Sequence, residues 1–418
     1  MELKKIKGIV FKYLISLFVF DALVFFILES IFQNSFAYVP YYRLFIILFT
    51  FVFFSPLFLF KKQVFTYRRI KNEDYIVIIW CLFTFLELLH GFIIGNPKLY
   101  LVADFIYIIF GGYIYLMLSN VIISYNETIG GLENFGKWLI IFFVFFYFVN
   151  GFFSENYYFI LLSLSYVFLI KKKYWYALFV IIPFIIQVKD SNRALLICFV
   201  TIILFYFIFK LSLFFKKQDR IFIFTFIAFF LVFFHQELLL ILFKIVPKGS
   251  GLYFRIEQVL DIINKGIDFK NPQHTSIAQR IVEAKVVVGL WLVDGFSFIF
   301  GCGLGSVIDG NLFIDLSVTK SALMGSKSIH NIHLLPFALI HKYGFFGVII
   351  FFMLVVDLLN SFNNILKKNQ NIVFVFWNLI FILIFVYSLP AASFLWASPL
   401  FWISLSMKRK IIYKKQIS

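Results

Sequence analysis

The chain has 418 residues, 62% of them hydrophobic and 22% aromatic, with only 14% charged. That is far more apolar surface than a soluble core can bury, so the composition excludes a water-soluble enzyme and points to a lipid bilayer. The net charge of +17 reads as anchoring at a lipid surface, and no nucleic-acid partner is predicted.

The N-terminal stretch MELKKIKGIVFKYLISLFVFDALVFFILES begins with lysines, as a signal peptide does. Its apolar part is too long and lacks a small-residue cleavage site, which predicts a retained first span. Apolar runs long enough to cross about 30 Å as helices recur along the chain. They fall at 8–32, 42–60, 75–95, 99–119, 138–153, 157–170, 174–188, 194–213, 221–246, 344–360, 372–388 and 391–407. The short alternating strands of a β-barrel are absent. An all-α membrane bundle of twelve spans is therefore predicted.

Basic residues gather on alternate connections: Lys4, Lys5 and Lys7, then 61–71, Lys137, Lys171–Lys173, 216–220, Lys367 and Lys368, and 408–415. The remaining short connections carry little beyond Arg43, Lys98, Lys189 and Arg193. The positive-inside rule places both termini in the cytoplasm. The chain then divides into spans one to nine (1–246), a long outer segment (247–343) and spans ten to twelve with a basic tail (344–418).

The outer segment carries its own helical patterns. LYFRIEQVLDIINKG puts Ile256, Val259, Leu260 and Ile263 on one stripe and stops at Gly266. SIAQRIVEAKVVVGLW reads as a second amphipathic helix capped by Ser276. A small folded cap on the membrane surface is predicted. Cys81, Cys198 and Cys302 offer neither a disulfide framework nor metal-ligand spacing, and the acids form no paired metal site, so no metal or cofactor is predicted.

Chemistry-bearing residues cluster in SIHNIHLLPFALIHKYGFFG (328–347), where the outer segment returns to the membrane. At helical spacing His330 and His333 would share one face, and a neutral imidazole there can take a proton from a hydroxyl. The plainer reading is that boundary histidines satisfy backbone groups, and His341 beside Lys342 fits it best. Arg193 starts the eighth span after Asp190-Ser191-Asn192, and Arg280 lies in the second cap helix. A guanidinium fork suits phosphate oxygens, although Arg193 could pair with Asp190 and Arg280 with Glu283. Glu87 and His90, one turn apart in the third span, and Asp104 in the fourth could line a substrate groove or pair between helices. Arg255 in the first cap helix and Asn331 join these substrate-contacting candidates. GCGLGS (301–306) could cradle phosphate but reads better as a tight turn. Asp21, Glu237 and Asp357 read as interhelical contacts.

A base and arginine clamps on one outer face suit glycosyl transfer from a polyprenyl diphosphate. The order SNRAL at the mouth of a span, an outer loop with an arginine helix, FIFGCGLGS (298–306), SIHN (328–331) and GFFG (344–347) resembles the bacterial O-antigen ligase and O-antigen polymerase superfamily. The resemblance covers about 190–360 and the remainder only by span count. It implies a bundle of about twelve transmembrane helices with a large periplasmic loop between spans nine and ten, in the bacterial inner membrane. It also implies a metal-independent glycosyltransferase acting on an undecaprenyl-diphosphate-linked oligosaccharide, working beside a flippase and a chain-length regulator. Arg193, Arg280 and His330 with Asn331 match the family's functional positions. Twelve residues separate Asn331 from Gly344, more than the family usually has, and counting back from Gly344 points to His333; His330 is nevertheless the expected base because it keeps its Asn partner, with His333 among the substrate contacts. The resemblance implies a surface-polysaccharide (O-antigen) polymerase, with a ligase to the lipid A core as the alternative. A lipid-linked oligosaccharide flippase or other carrier is the competing class.

Overall fold

The computed structural model describes residues 9–32, 39–60, 74–120, 155–188, 193–214, 251–268, 274–309, 328–366 and 371–414, with a few isolated positions besides. Among the described residues the protein is all-α, apart from one pair of two-residue strands. The helices are α1 (Ile9–Phe32), α2 (Val39–Phe60), α3 (Tyr75–Ile94), α4 (Lys98–Asn120), α5 (Glu155–Ile170), α6 (Tyr174–Val188) and α7 (Arg193–Phe214). They continue as α8 (Gly251–Lys265), α9 (Thr275–Trp291), α10 (Gly295–Phe300), α11 (Leu335–Leu366), α12 (Ile372–Ser388), α13 (Ser393–Ala397) and α14 (Pro399–Lys414).

Four helices among the described residues are long and apolar enough to cross a membrane: Lys12–Phe32, Tyr75–Ile94, Lys98–Ser119 and Leu335–Leu366. Shorter apolar helices accompany them. By length and composition the chain is a multi-pass membrane protein. Helices occur at ten of the twelve expected spans, and the other two, 138–153 and 221–246, lie outside the described residues but for Trp138, Leu240 and Lys244.

The packing is inverted relative to a soluble bundle. On α3 the outer face carries Leu82, Phe85, Leu86, Leu89, Phe92 and Ile93, while Thr84, Glu87 and His90 are buried. Polar groups turned inward and apolar groups turned outward are what a lipid solvent selects. Helix α12 is apolar nearly all round and almost wholly enclosed, with Trp377, Leu379, Ile380 and Phe381 inaccessible, because α5, α7, α11 and α14 surround it.

Side-chain contacts fix the helix directions. Phe351 of α11 stacks near Phe385 of α12 and Phe205 of α7 near Phe362 of α11, while Cys198 of α7 donates to the Leu383 carbonyl. Helix α7 therefore runs antiparallel to α12, and its first residue, Arg193, stands at the same end as the turn 389–392. Tyr387 donates to Glu155, so α5 also starts at that end. Lys171–Lys173, after α5, and Lys408, bound to Asp357 at 2.8 Å, occupy the opposite end.

Two expectations are revised. The last expected span, 391–407, is two helices, because Ser398, extended at φ −81° and ψ 116° before Pro399, interrupts it. The span expected to open at Gly344 begins at Leu335, and Gly344 breaks it internally with φ 56° and ψ −133°. The break frees the His341 carbonyl from its usual helical partner, and the Cys302 N–H takes it at 2.7 Å. Only glycine fits there: a Cβ on Gly344 would come within 2.6 Å of the Ile299 carbonyl.

Candidate active site

The site stands at the end of the bundle away from Lys171–Lys173. Its floor is the glycine run that leaves α10. Gly301, Gly303 and Gly305 all have positive φ, 73°, 74° and 72°, which lets the backbone lie directly on its neighbours. The Leu304 N–H bonds the Glu87 carbonyl at 3.1 Å and the Gly305 N–H bonds the Asp104 carboxylate at 3.0 Å. Asn96 clamps the carbonyls of Cys302 and Leu304 at 2.9 Å each. These N–H groups are spent on protein acceptors, so the run is a strap across α3, α4 and the α11 kink rather than a phosphate cradle.

Asp104 is the hub above the strap. It is buried in α4, pairs with the buried Lys342 of α11 at 2.5 Å, and faces His330 Nε2 at 3.4 Å. Lys342 also lies over the Trp396 ring, 5.3 Å from its centroid. A buried ion pair of this kind holds two elements in register, because either charge alone at that depth is costly. Sequence reasoning singled out Asp104 and passed over Lys342. The signal was present as a lysine inside an apolar stretch, and it was absorbed into the expected outer segment.

His330 and His333 do not share a helical face, since α11 begins only at Leu335. Strand β2 (Ser328–Ile329) pairs antiparallel with β1 (Ile308–Asp309), with Ile308 opposite Ile329 and Asp309 opposite Ser328. His330 follows the strand directly. Its Nδ1 lies 3.0 Å from the Ser306 carbonyl and its ring stacks on Tyr100, with centroids 4.2 Å apart. His333 sits beyond a turn. Its backbone N–H donates to Glu283 Oε2 at 3.0 Å, and its Nδ1 lies 2.8 Å from Glu283 Oε1. Ala392 N–H holds the His333 carbonyl at 2.9 Å. Asn331 is exposed between the two imidazoles.

Arg280 reaches the same place from α9. Its Nη1 donates to the Ser276 carbonyl at 2.9 Å and to the Ser276 hydroxyl at 2.5 Å, and its Nη2 approaches the Pro390 carbonyl at 3.5 Å. Its Nε is buried without a hydrogen-bond partner. Burial lowers the guanidinium pKa and the neighbouring Glu283 opposes that shift. Among the described residues Arg280 forms no ion pair with Glu283, whose oxygens are occupied by His333 and by Gln279 at 2.8 Å. Ser276 is not the cap of α9: His274 holds that position, and the serine serves Arg280. Helix α8 ends as the sequence predicts, at Gly266 with φ 81°.

Glu87 and His90 pair with each other at 2.8 Å beneath the strap, buried away from His333 and Arg280. Arg193 begins α7 at the site end, but its side chain and that of Arg255 lie outside the described residues, as do Asp190–Asn192 and Glu237. Arg43, given no role from sequence, joins α2 to α13 through Ser393 at 2.8 Å. His341 is buried with both ring nitrogens unpaired. No three His, Cys, Asp or Glu side chains group as a metal site among the described residues.

Comparison with family models, curated proteins and solved structures finds no match to this chain.

Proposed function

We propose that the chain is an inner-membrane glycosyltransferase of the O-antigen polymerase type, using an undecaprenyl-diphosphate-linked oligosaccharide as donor at the outer face. One observation carries this reading: a buried-stemmed guanidinium (Arg280) and a histidine segment (330–333) meet at the 389–392 turn, at the lysine-poor end of a membrane bundle.

Each group has a part in such a transfer. The acceptor hydroxyl oxygen attacks the anomeric carbon while the carbon–oxygen bond to the diphosphate breaks. The lipid diphosphate leaves with the bonding pair, and the hydroxyl proton passes to an imidazole. Arg280 offsets the charge growing on the leaving group. The twelve spans rest on the apolar runs, and the cytoplasmic termini and outer placement of the site on the positive-inside rule, which the position of Lys171–Lys173 and Lys408 at the far end supports.

The test is reconstitution of the purified chain in vesicles with a defined lipid-linked oligosaccharide. Lengthened lipid-linked glycan supports the polymerase. Glycan moved onto a lipid A core acceptor assigns the ligase instead. Movement between leaflets with no new bond overturns the transferase reading.

A further inference from the structure

The histidine segment offers two imidazoles, and their surroundings separate them. Three donors converge on the Glu283 carboxylate, which is fully buried: the Gln279 side-chain amide at 2.8 Å, the His333 backbone N–H at 3.0 Å and His333 Nδ1 at 2.8 Å. An ionised carboxylate only accepts, so Nδ1 is the nitrogen that carries the proton. In the neutral ring the lone pair is then at Nε2, which has no partner among the described residues, on a side chain 37% exposed. His330 is placed differently. Its Nδ1 faces the Ser306 carbonyl, its Nε2 faces Asp104, its ring lies on Tyr100, and its side chain is 9% exposed. Both of its nitrogens therefore face protein acceptors.

We propose that Glu283 and His333 form a carboxylate–imidazole dyad in which Glu283 is a positioning residue and His333 Nε2 accepts the acceptor-hydroxyl proton. This rests on the transfer reading above and deepens it. Glu283 holds both the backbone and the ring of His333, so one carboxylate sets the position and the tautomer together. Arg280 stands one turn before Glu283 on α9, and both grip the loop formed by 330–333 and 389–392. A single helix therefore carries the charge that meets the diphosphate and the carboxylate that aims the base. After proton transfer the ring is an imidazolium, with Nδ1–H still on Glu283 and the new proton on Nε2. Glutamine cannot replace Glu283: its amide offers one accepting oxygen and would turn an NH₂ toward one of the three donors.

Two measurements on the detergent-purified full chain test the dyad. The first needs no substrate: limited treatment with diethyl pyrocarbonate at pH 7, mapped by peptide mass spectrometry. His333 is expected to be modified at least about tenfold faster than His330, and to take one carbethoxyl group in the wild type but two in Glu283→Ala, where Nδ1 is released. Faster labelling of His330, or the same pattern in both proteins, overturns the dyad whether or not transfer occurs. The second is transfer kinetics. Glu283→Gln is expected to lower kcat by about 10²- to 10⁴-fold, the usual range for a general base, with KM little changed and the thermal midpoint lowered by the amide N–H turned against a buried donor, and His333→Asn to lower kcat alike. Full kcat in Glu283→Gln, or loss of chemistry in His330→Asn with His333→Asn active, overturns it. A wild-type chain that transfers nothing while showing the expected labelling refutes the transferase reading and leaves the geometry of the dyad supported.

Discussion

The side chains of the site differ in how far their surroundings commit them. Cys302 lies on the strap, largely buried, and desolvation raises its thiol pKa to about 11, with Glu87 and Asp294 adding to the shift. Thiolate is the reactive form, so at pH 7.5 fewer than about one molecule in a thousand is poised to react. Alkylation of Cys302 by iodoacetamide, followed by peptide mass, is expected to be slow at pH 7.5 and to quicken about tenfold per pH unit until the pH approaches the pKa. Arg280 is committed by shape. Its fork spans two carbonyls on different elements, those of Ser276 and Pro390, which one ammonium cannot reproduce. Arg280→Lys is expected to lower transfer at least about tenfold, the rough worth of one charge-assisted hydrogen bond. Asp104 is committed by charge. Asp104→Ala strands Lys342 and is expected to cost about 3–5 kcal/mol, read as a drop in thermal midpoint in detergent. Asp104→Leu combined with Lys342→Met should recover most of it.

Among the elements, α11 shows why a helix-forming sequence departs from helix. The helix starts at Leu335, ahead of the expected opening at Gly344, yet its backbone breaks at Gly344, where the strap passes against it. Gly301 and Gly344 touch backbone to backbone, and a Cβ on Gly301 would lie 2.6 Å from the Gly344 nitrogen. Gly344→Ala combines a positive φ with a clash against Ile299 and is expected to destabilise by more than about 2 kcal/mol. Gly295→Ala, where added bulk meets nothing, is the matched control in the same melting experiment. The helices themselves were legible from apolar run length, and the starts of α6 and α12 coincide with expectation at 174 and 372. The strap was not. Its glycines signal tight backbone, but their partners are Gly91, Leu101 and Gly344, distant in sequence and invisible to periodicity. The partners of His330 and His333 were hidden for the same reason. Asp104 and Glu283 lie on other helices, and the assumption of a continuous helical face grouped the two imidazoles that the turn at 330–334 separates.

The whole molecule is polarised along its axis. One end gathers Asp104, Lys342, Glu283, Arg280 and the histidine segment, while Lys171–Lys173 and Lys408 occupy the other. If the lysine end faces the cytoplasm, a C-terminal green fluorescent protein fusion fluoresces and a C-terminal alkaline phosphatase fusion is inactive. The reverse pattern would turn the site inward and overturn its outer placement. Pairing of β1 with β2 has a separate implication for engineering. Residues 308–309 and 328–329 are stapled side by side, so the chain departs and comes back at neighbouring points. Closure entropy depends only weakly on contour length. The intervening stretch, 310–327, can therefore serve as a graft position: a shorter glycine-serine bridge or an inserted epitope should leave the imidazoles where they stand.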